Sequence, residues 1–222
     1  EQIQLCDDIH AEEKLQIQKF MLRILTLDNS LATESYFNSN IENLEHSIDV
    51  LREKSASLKS EVDHDSLTTI HSRKKILSYL TSELRRCQKK NISLAVVVAD
   101  LDNFKVVNDT YGHLAGDVVL KHTAARIQGS IRDIDLVGRY GGEEFLIILP
   151  GINIKTAKII TERIRVTVAE TPIKFKGDKI TITISLGITM AKPEDDINSL
   201  FNRADNLMYE AKLSGRNCIN WG

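Results

Sequence analysis

Two groups of residues have the types and spacing to do chemistry. Asp100-Leu101-Asp102 closes the β-branched run Ser93–Leu101 (SLAVVVADL), which reads as a strand. Carboxylates at the point where a chain leaves a sheet are placed to hold a hard cation such as Mg²⁺. Asp102 has a second use, as the cap of a helix beginning at Asn103. That helix start also offers free N–H groups and Lys105 to an anion. The second group is Arg139-Tyr140-Gly141-Gly142-Glu143-Glu144-Phe145. Its glycines predict the positive φ values of a tight two-residue hairpin and let a ligand approach the backbone. In a strand the two adjacent glutamates point to opposite faces, so one of them can meet Asp100. Side-by-side strands would bring Asp100 and Glu143 onto one metal site.

The flanking elements must position these groups. Ser72 to Lys90 reads as an amphipathic helix, and further helical stretches cover 103–111, 114–130, Asn153–Ala169 and Ile197–Leu213, the last stopped by Gly215. Ile134–Tyr140 and Glu144–Leu149 flank the Gly-Gly pair as strands, and Ile180–Met190 alternates as a half-buried strand. A hairpin at the centre of interleaved strands and helices predicts an α/β sandwich with a mixed or antiparallel sheet, not a Rossmann fold. Upstream the period changes. Phe37, Ile41, Leu44, Ile48, Leu51, Leu58 and Val62 form a heptad seam, with Ser55 in the vacant position and charges such as Glu42, Glu45, Arg52, Glu53 and Lys59 outside it. Ile17, Phe20, Met21, Ile24 and Leu27 also have helical spacing, and Asp28-Asn29-Ser30 offers a break between the two stretches. The segment is either a helical hairpin on its own chain or a parallel dimeric linker, and the clean seam favours the linker. Cys6 and His10 lie at i, i+4, but two ligands do not close a metal site.

Bulk properties narrow the classes. The 222 residues, 42% hydrophobic and 27% charged, suit one globular domain plus an extra segment. No apolar run approaches the roughly 20 residues a bilayer requires, and no signal peptide opens the chain. Glu1 in place of Met predicts a fragment or a processed start, with modules upstream. Cys6, Cys87 and Cys218 are scattered and odd in number, as expected of thiols in a reducing, cytoplasmic compartment. Residues 1–62 carry 12 acidic and 6 basic side chains, leaving 19 and 23 for 63–222. The mild basic excess suits a small anion and is too weak for a nucleic-acid groove.

RYGGEEF resembles the signature of GGDEF-type diguanylate cyclases, with Glu at its third position. The similarity runs in order over nearly all of 63–222. Asp65-Ser66-Leu67-Thr68 resembles the family's DxLT, and Asp100 to Lys105 its DxDxFK. Asn108-Asp109-Thr110-Tyr111-Gly112-His113 with Gly116-Asp117 is similar to NDxxGHxxGD, and Ser185-Leu186-Gly187 to the SxG strand. Asp205, Tyr209, Ala211-Lys212 and Gly215-Arg216-Asn217 are similar to the closing ADxxLYxAKxxGRN. Two positions depart from the pattern: Ser72 stands where the family usually has Asn, and Thr69 where it usually has Gly.

The resemblance implies a helical signalling and coiled-coil segment over 1–62 and a catalytic domain over 63–222. That domain would have a mixed, mainly antiparallel, nucleotidyl cyclase-like sheet flanked by helices. It implies condensation of two GTP into cyclic di-GMP and two pyrophosphates by a homodimer, each active site using two Mg²⁺ or Mn²⁺ ions. The metals fall to the carboxylates of Asp100 and Glu143 and the carbonyl of Leu101. Asn108 and Asp117 would read guanine, which offers two N–H donors on one edge to a carboxylate where adenine does not. His113, Gly141 and Gly142 line the substrate site. Lys105, Lys212 and Arg216 would hold the triphosphate, although cations near a helix C-terminus also complement its dipole. Glu143 is the implied proton acceptor, with Glu144 beside it and Lys105 stabilising the transition state. Arg132 and Asp135, an RxxD nine residues before Gly141, resemble the family's inhibitory product site, with Arg163 as its secondary contact; by itself the motif reads as a solvated charge cluster. Three other readings compete: a dead domain that only senses cyclic di-GMP, a class III-type cyclase acting on one nucleotide, and a dimeric adaptor role for 1–62 alone.

Overall fold

The computed structural model describes residues 14–27, 33, 46–48, 50 and 63–222. Two compact units divide the chain, Glu1–Ser57 and Leu58–Gly222. In the first, residues 14–27 form helix α1, and the apolar side chains of its predicted spacing, Ile17, Phe20, Met21, Ile24 and Leu27, are exposed. Of the heptad seam, Ile48 alone is described; it is helical and exposed. Phe37, Ile41, Leu44, Leu51, Leu58 and Val62 lie outside the described residues, as do Cys6, His10 and Asp28-Asn29-Ser30.

In the second unit the elements run α2 (Arg73–Lys90), β1 (Leu94–Leu101), α3 (Phe104–Tyr111), α4 (His113–Gly129), β2 (Leu136–Arg139), β3 (Glu144–Pro150) and α5 (Ile154–Glu170). β4 (Ile173–Phe175), β5 (Asp178–Ile180), β6 (Ile184–Met190), α6 (Ile197–Leu213) and β7 (Ile219–Trp221) complete it. The main sheet has the order β2-β3-β1-β6-β7. β1 is antiparallel to β3 and β6, and β7 joins β6 in parallel, so the sheet is mixed as expected. All eight residues of β1 are buried, which is why its sequence is a continuous apolar run rather than an alternation. Ala95, Val97, Ala99 and Leu101 pack with α3, α4 and α5 residues such as Val107, Val119 and Ile164. Leu94, Val96 and Val98 pack on the other face with Ile76 and Leu80 of α2 and Leu200 and Ala204 of α6. Asp100 continues the second series, which aims it toward α6.

Caps follow their residue types. Ser72 accepts the Lys75 N–H at 3.3 Å, so its hydroxyl serves α2 as a family Asn would. Asn153 caps α5, and Asp196 with Ser199 makes a capping box for α6. Three expectations need correction. The strand predicted over Ile180–Met190 is interrupted at 181–183, because Thr183 turns its carbonyl and hydroxyl to Asp102. The separate β4–β5 hairpin, with Lys176 and Gly177 both at positive φ, and the three-residue β7 were not expected. Both are too short to show a period. Among the described residues no helix is long and apolar enough to cross a membrane.

Candidate active site

The end of β1 and the turn between β2 and β3 meet because the two strands are neighbours. Asp100 lies directly opposite Glu144 on β3 and Ser185 on β6. Glu143 is in the turn, where its carbonyl accepts the Leu101 N–H at 3.3 Å. In the register Glu144 is the cross-strand partner of Asp100, and Glu143 is strapped to the next residue, Leu101. Both carboxylates nonetheless feel Asp100. Burial pushes the Glu143 carboxyl up, and the charges of Asp100 and Glu144 add to the rise. Burial also raises Glu144, helped by Asp100 and Asp205. Asp100 itself, 5% exposed, is raised by burial and by Asp102 and Asp205, with Lys212 opposing. Five acids, Asp100, Asp102, Glu143, Glu144 and Asp205, therefore crowd one strand end, with Lys212 and, for Glu144, Arg73 as the counter-charges.

Lys212 Nζ lies 2.7 Å from Asp100 Oδ1. The contact is ionic, and the buried oxygen accepts no well-angled hydrogen bond. A buried carboxylate beside further carboxylates and a strand-end backbone offers oxygen donors of the kind a hard divalent cation takes. Their chemistry suits such a cation, but among the described residues no three Asp, Glu, His or Cys side chains are gathered closely enough to hold one.

The Gly-Gly turn works by space, not by left-handed backbone. Neither Gly141 nor Gly142 has positive φ, contrary to expectation. A Cβ on Gly141 would sit 2.1 Å from Glu144 Oε2, so glycine here lets the carboxylate fold back over the turn. Arg139 fastens the turn, donating to the Gly142 carbonyl at 3.1 and 2.7 Å and to both oxygens of Asp65 at 3.3 Å. Tyr140 is held between the Arg73 guanidinium, 4.5 Å from its ring centre, and Phe201, with ring centroids 4.5 Å apart. These clamps link residue 65 to 139, 73 to 140 and 140 to 201, pairings that no local pattern announces.

Asp102 does not cap α3. Its position is filled by Asn103, which is left-handed and makes no side-chain cap bond. Lys105 is exposed on the first turn of that helix. Asn108 and Asp117, half-buried, stand on the corner where α3 gives way to α4, and His113 opens α4 exposed. Gly116 makes the corner close: a Cβ there would lie 1.9 Å from Asn108 Oδ1. Arg216 is exposed in the turn after α6, and Lys212 is half-buried in the last turn of that helix.

The description "Diguanylate cyclase, GGDEF domain" matches residues 62–218. The chain belongs to the GGDEF family. Diguanylate cyclase DgcP of Pseudomonas aeruginosa is 38% identical over 152 residues, 68% of this chain and 23% of that protein. The chain spans roughly half or less of the length of the curated relatives it matches. The crystal structure of the coiled coil and GGDEF domain of DgcB from Caulobacter crescentus, in complex with c-di-GMP, matches with a TM-score of 0.80 at 28% identity. That likeness covers 84% of this chain and 99% of DgcB's. Diguanylate cyclase SiaD, in complex with its activator SiaC from Pseudomonas aeruginosa, matches with a TM-score of 0.72 at 28% identity over 99% of this chain and 87% of its own.

On this GGDEF fold the RxxD residues lie away from the acid cluster. Arg132 donates to Asp135 through Nε at 3.0 Å and Nη2 at 2.6 Å, and to the Pro150 carbonyl at 3.0 Å. Asp135 also accepts the Arg132 backbone N–H at 2.9 Å, so the motif is a closed turn rather than a solvated cluster. Arg163 reaches the same turn, with Nε 3.1 Å from the Ser130 carbonyl. A cavity of about 230 Å³ lies beside it, lined by residues that include His64, His71, Arg132 and Asp133. Thr69, where the family usually has Gly, has φ 62, so a β-branched residue occupies a left-handed position.

Proposed function

We propose that residues 63–222 form a diguanylate cyclase that joins two GTP molecules into cyclic di-GMP. One observation carries the reading: Asp100, Glu143 and Glu144 lie at one strand end with raised carboxyls, and Lys212 is the cation paired with Asp100 there. Acids kept together against their repulsion are a site for a cation. Family membership supports the substrate. Asp100, Glu143 and the Leu101 carbonyl would hold Mg²⁺ or Mn²⁺, which when bound lowers the pKa of the attacking hydroxyl and neutralises the leaving pyrophosphate. Asn108 and Asp117 orient guanine, and Lys105, Lys212 and Arg216 hold the triphosphate. Lys212, now neutralising Asp100, is the cation nearest at hand for that task. The 3′-oxygen of one GTP attacks the α-phosphorus of the other, its proton passes to Glu143, and pyrophosphate leaves. Two such steps close the ring. Incubation with GTP and Mg²⁺ should yield cyclic di-GMP, and Glu143→Gln should lower the rate about a thousandfold. A different nucleotide product, or full activity in that variant, refutes the reading.

Each domain brings one GTP, so catalysis requires a homodimer, and residues 1–62 supply the dimeric, regulated linker. The seam from Phe37 to Val62 supports this, as does the likeness to SiaD, solved with its activator, over 99% of the chain. Replacing Leu44, Ile48 and Leu51 with Ser should sharply reduce turnover at low protein concentration. Unchanged turnover there would exclude the linker role. Arg132, Asp135 and Arg163 form a product-inhibition site, a reading supported by the shared turn and by DgcB's structure in complex with c-di-GMP. Arg132→Ala should relieve inhibition by added cyclic di-GMP; a variant as inhibitable as the parent would exclude it.

A further inference from the structure

We propose that Asp102 is a positioning residue, its buried carboxylate tying the turn that carries Arg216 to the strand end that carries Asp100. The inference rests on the triphosphate reading of Lys212 and Arg216. Asp102 is 3% exposed, and every partner of its side chain comes from outside the helix it precedes. One oxygen accepts the Ser185 hydroxyl at 2.7 Å; the other accepts the Thr183 hydroxyl at 2.7 Å and the Asn217 N–H at 3.0 Å. Its own N–H donates to the Thr183 carbonyl at 2.9 Å. Two residues earlier, Asp100 meets the Lys212 ammonium at 2.7 Å. The neighbouring acids have divided the work: one faces the cation of α6 and the other is spent on the scaffold.

The turn after α6 needs such an anchor. Gly215, Arg216 and Asn217 all have positive φ, at 114, 62 and 47°. For the two non-glycine residues this conformation is unfavourable and persists where surrounding bonds over-determine it. Those bonds are Arg216 N–H to the Ala211 carbonyl, Arg165 to Asn217 Oδ1 at 2.8 Å, and Asn217 N–H to Asp102. Of the three, the Asp102 bond alone reaches back to the β1 end, and it is charge-assisted. A substrate gripped by a metal at Asp100 and by cations at Lys212 and Arg216 spans that tie, so the tie sets the distance across which it is held.

The test compares Asp102→Ala with Asp102→Asn. Asn can still accept from Asn217 and Thr183 with its carbonyl while its amide donates to Ser185, whose hydroxyl can turn to accept. The Ala variant should bind a non-cyclising GTP analogue with Mg²⁺ about tenfold more weakly by calorimetry, with KM rising more than kcat falls. Hydrogen exchange at the Asn217 amide should quicken while exchange in α4 stays as in the parent. The Asn variant should retain both properties within about threefold. Parental affinity and protection in the Ala variant, or an Asn variant as impaired as Ala, would overturn the proposal. Should Ala not fold, Asp102→Ser, with a hydroxyl too short to reach Asn217, carries the same comparison. Unchanged analogue affinity in Lys212→Ala and Arg216→Ala would instead defeat the triphosphate reading, while exchange at Asn217 still judges the anchor.

Discussion

The two ends of β1 use the same residue types to opposite effect. At the Leu94 end each acid owns a guanidinium. Arg132 pairs with Asp135 and closes the Pro150 carbonyl where β3 ends, and Arg203 pairs with Asp195 at 2.9 and 2.6 Å and closes the Met190 carbonyl at 2.8 Å where β6 ends. At the Asp100 end, Asp100, Glu143, Glu144 and Asp205 crowd around Lys212. Asp195 is accordingly held down to about 2, chiefly by its hydrogen bond with Arg203, while the crowded acids are pushed up. Paired charge finishes a structure. Charge held together against its own repulsion serves a ligand.

Breaking each end separately should give effects of opposite sign. The largest is on activity: Asp100→Asn should reduce cyclic di-GMP formation about a thousandfold, measured as initial rates over a range of Mg²⁺. At the other end Asp195→Asn should leave that chemistry in place and cost about 2 kcal/mol of stability at pH 7, read from denaturant unfolding. The pH windows differ in the same sense. The folded pKa of Asp195 is depressed, so its contribution is complete above the unfolded value of 3.8 and fades as pH falls toward about 2. Asp100, Glu143 and Glu144 have raised values, so their destabilisation is absent below the unfolded values of 3.8 and 4.5 and grows as pH rises past them. Mg²⁺ should therefore raise the melting temperature by more as pH rises past 4.5; a rise independent of pH across that range would contradict the crowding. The smallest effect is Glu144→Gln, which removes one of two like charges directly opposite across the strands. It should stabilise the metal-free protein by about 0.5 kcal/mol in the same unfolding assay.

Much of the fold was legible because its signals are local. The buried run of β1, the periodicity of α2 and α6, and the cap residues Ser72 and Asn153 act within a few residues of themselves. The short β4–β5 hairpin and β7 escaped notice because three residues carry no period. The site was legible as a set of residues but not as a geometry. Asp100, Glu143 and Glu144 could be named from motif and residue type. That Glu144 rather than Glu143 pairs across from Asp100, that Gly141 makes room for a carboxylate rather than a left-handed turn, and that Asp102 reaches residues 183, 185 and 217 depended on strand register and on packing. Residue chemistry and spacing are properties of the chain, so sequence alone nominated the candidate groups for cations, phosphate and guanine. Which acid meets a cation and which is spent on the scaffold is decided by contacts between residues far apart in the chain, and the tertiary structure alone supplies those.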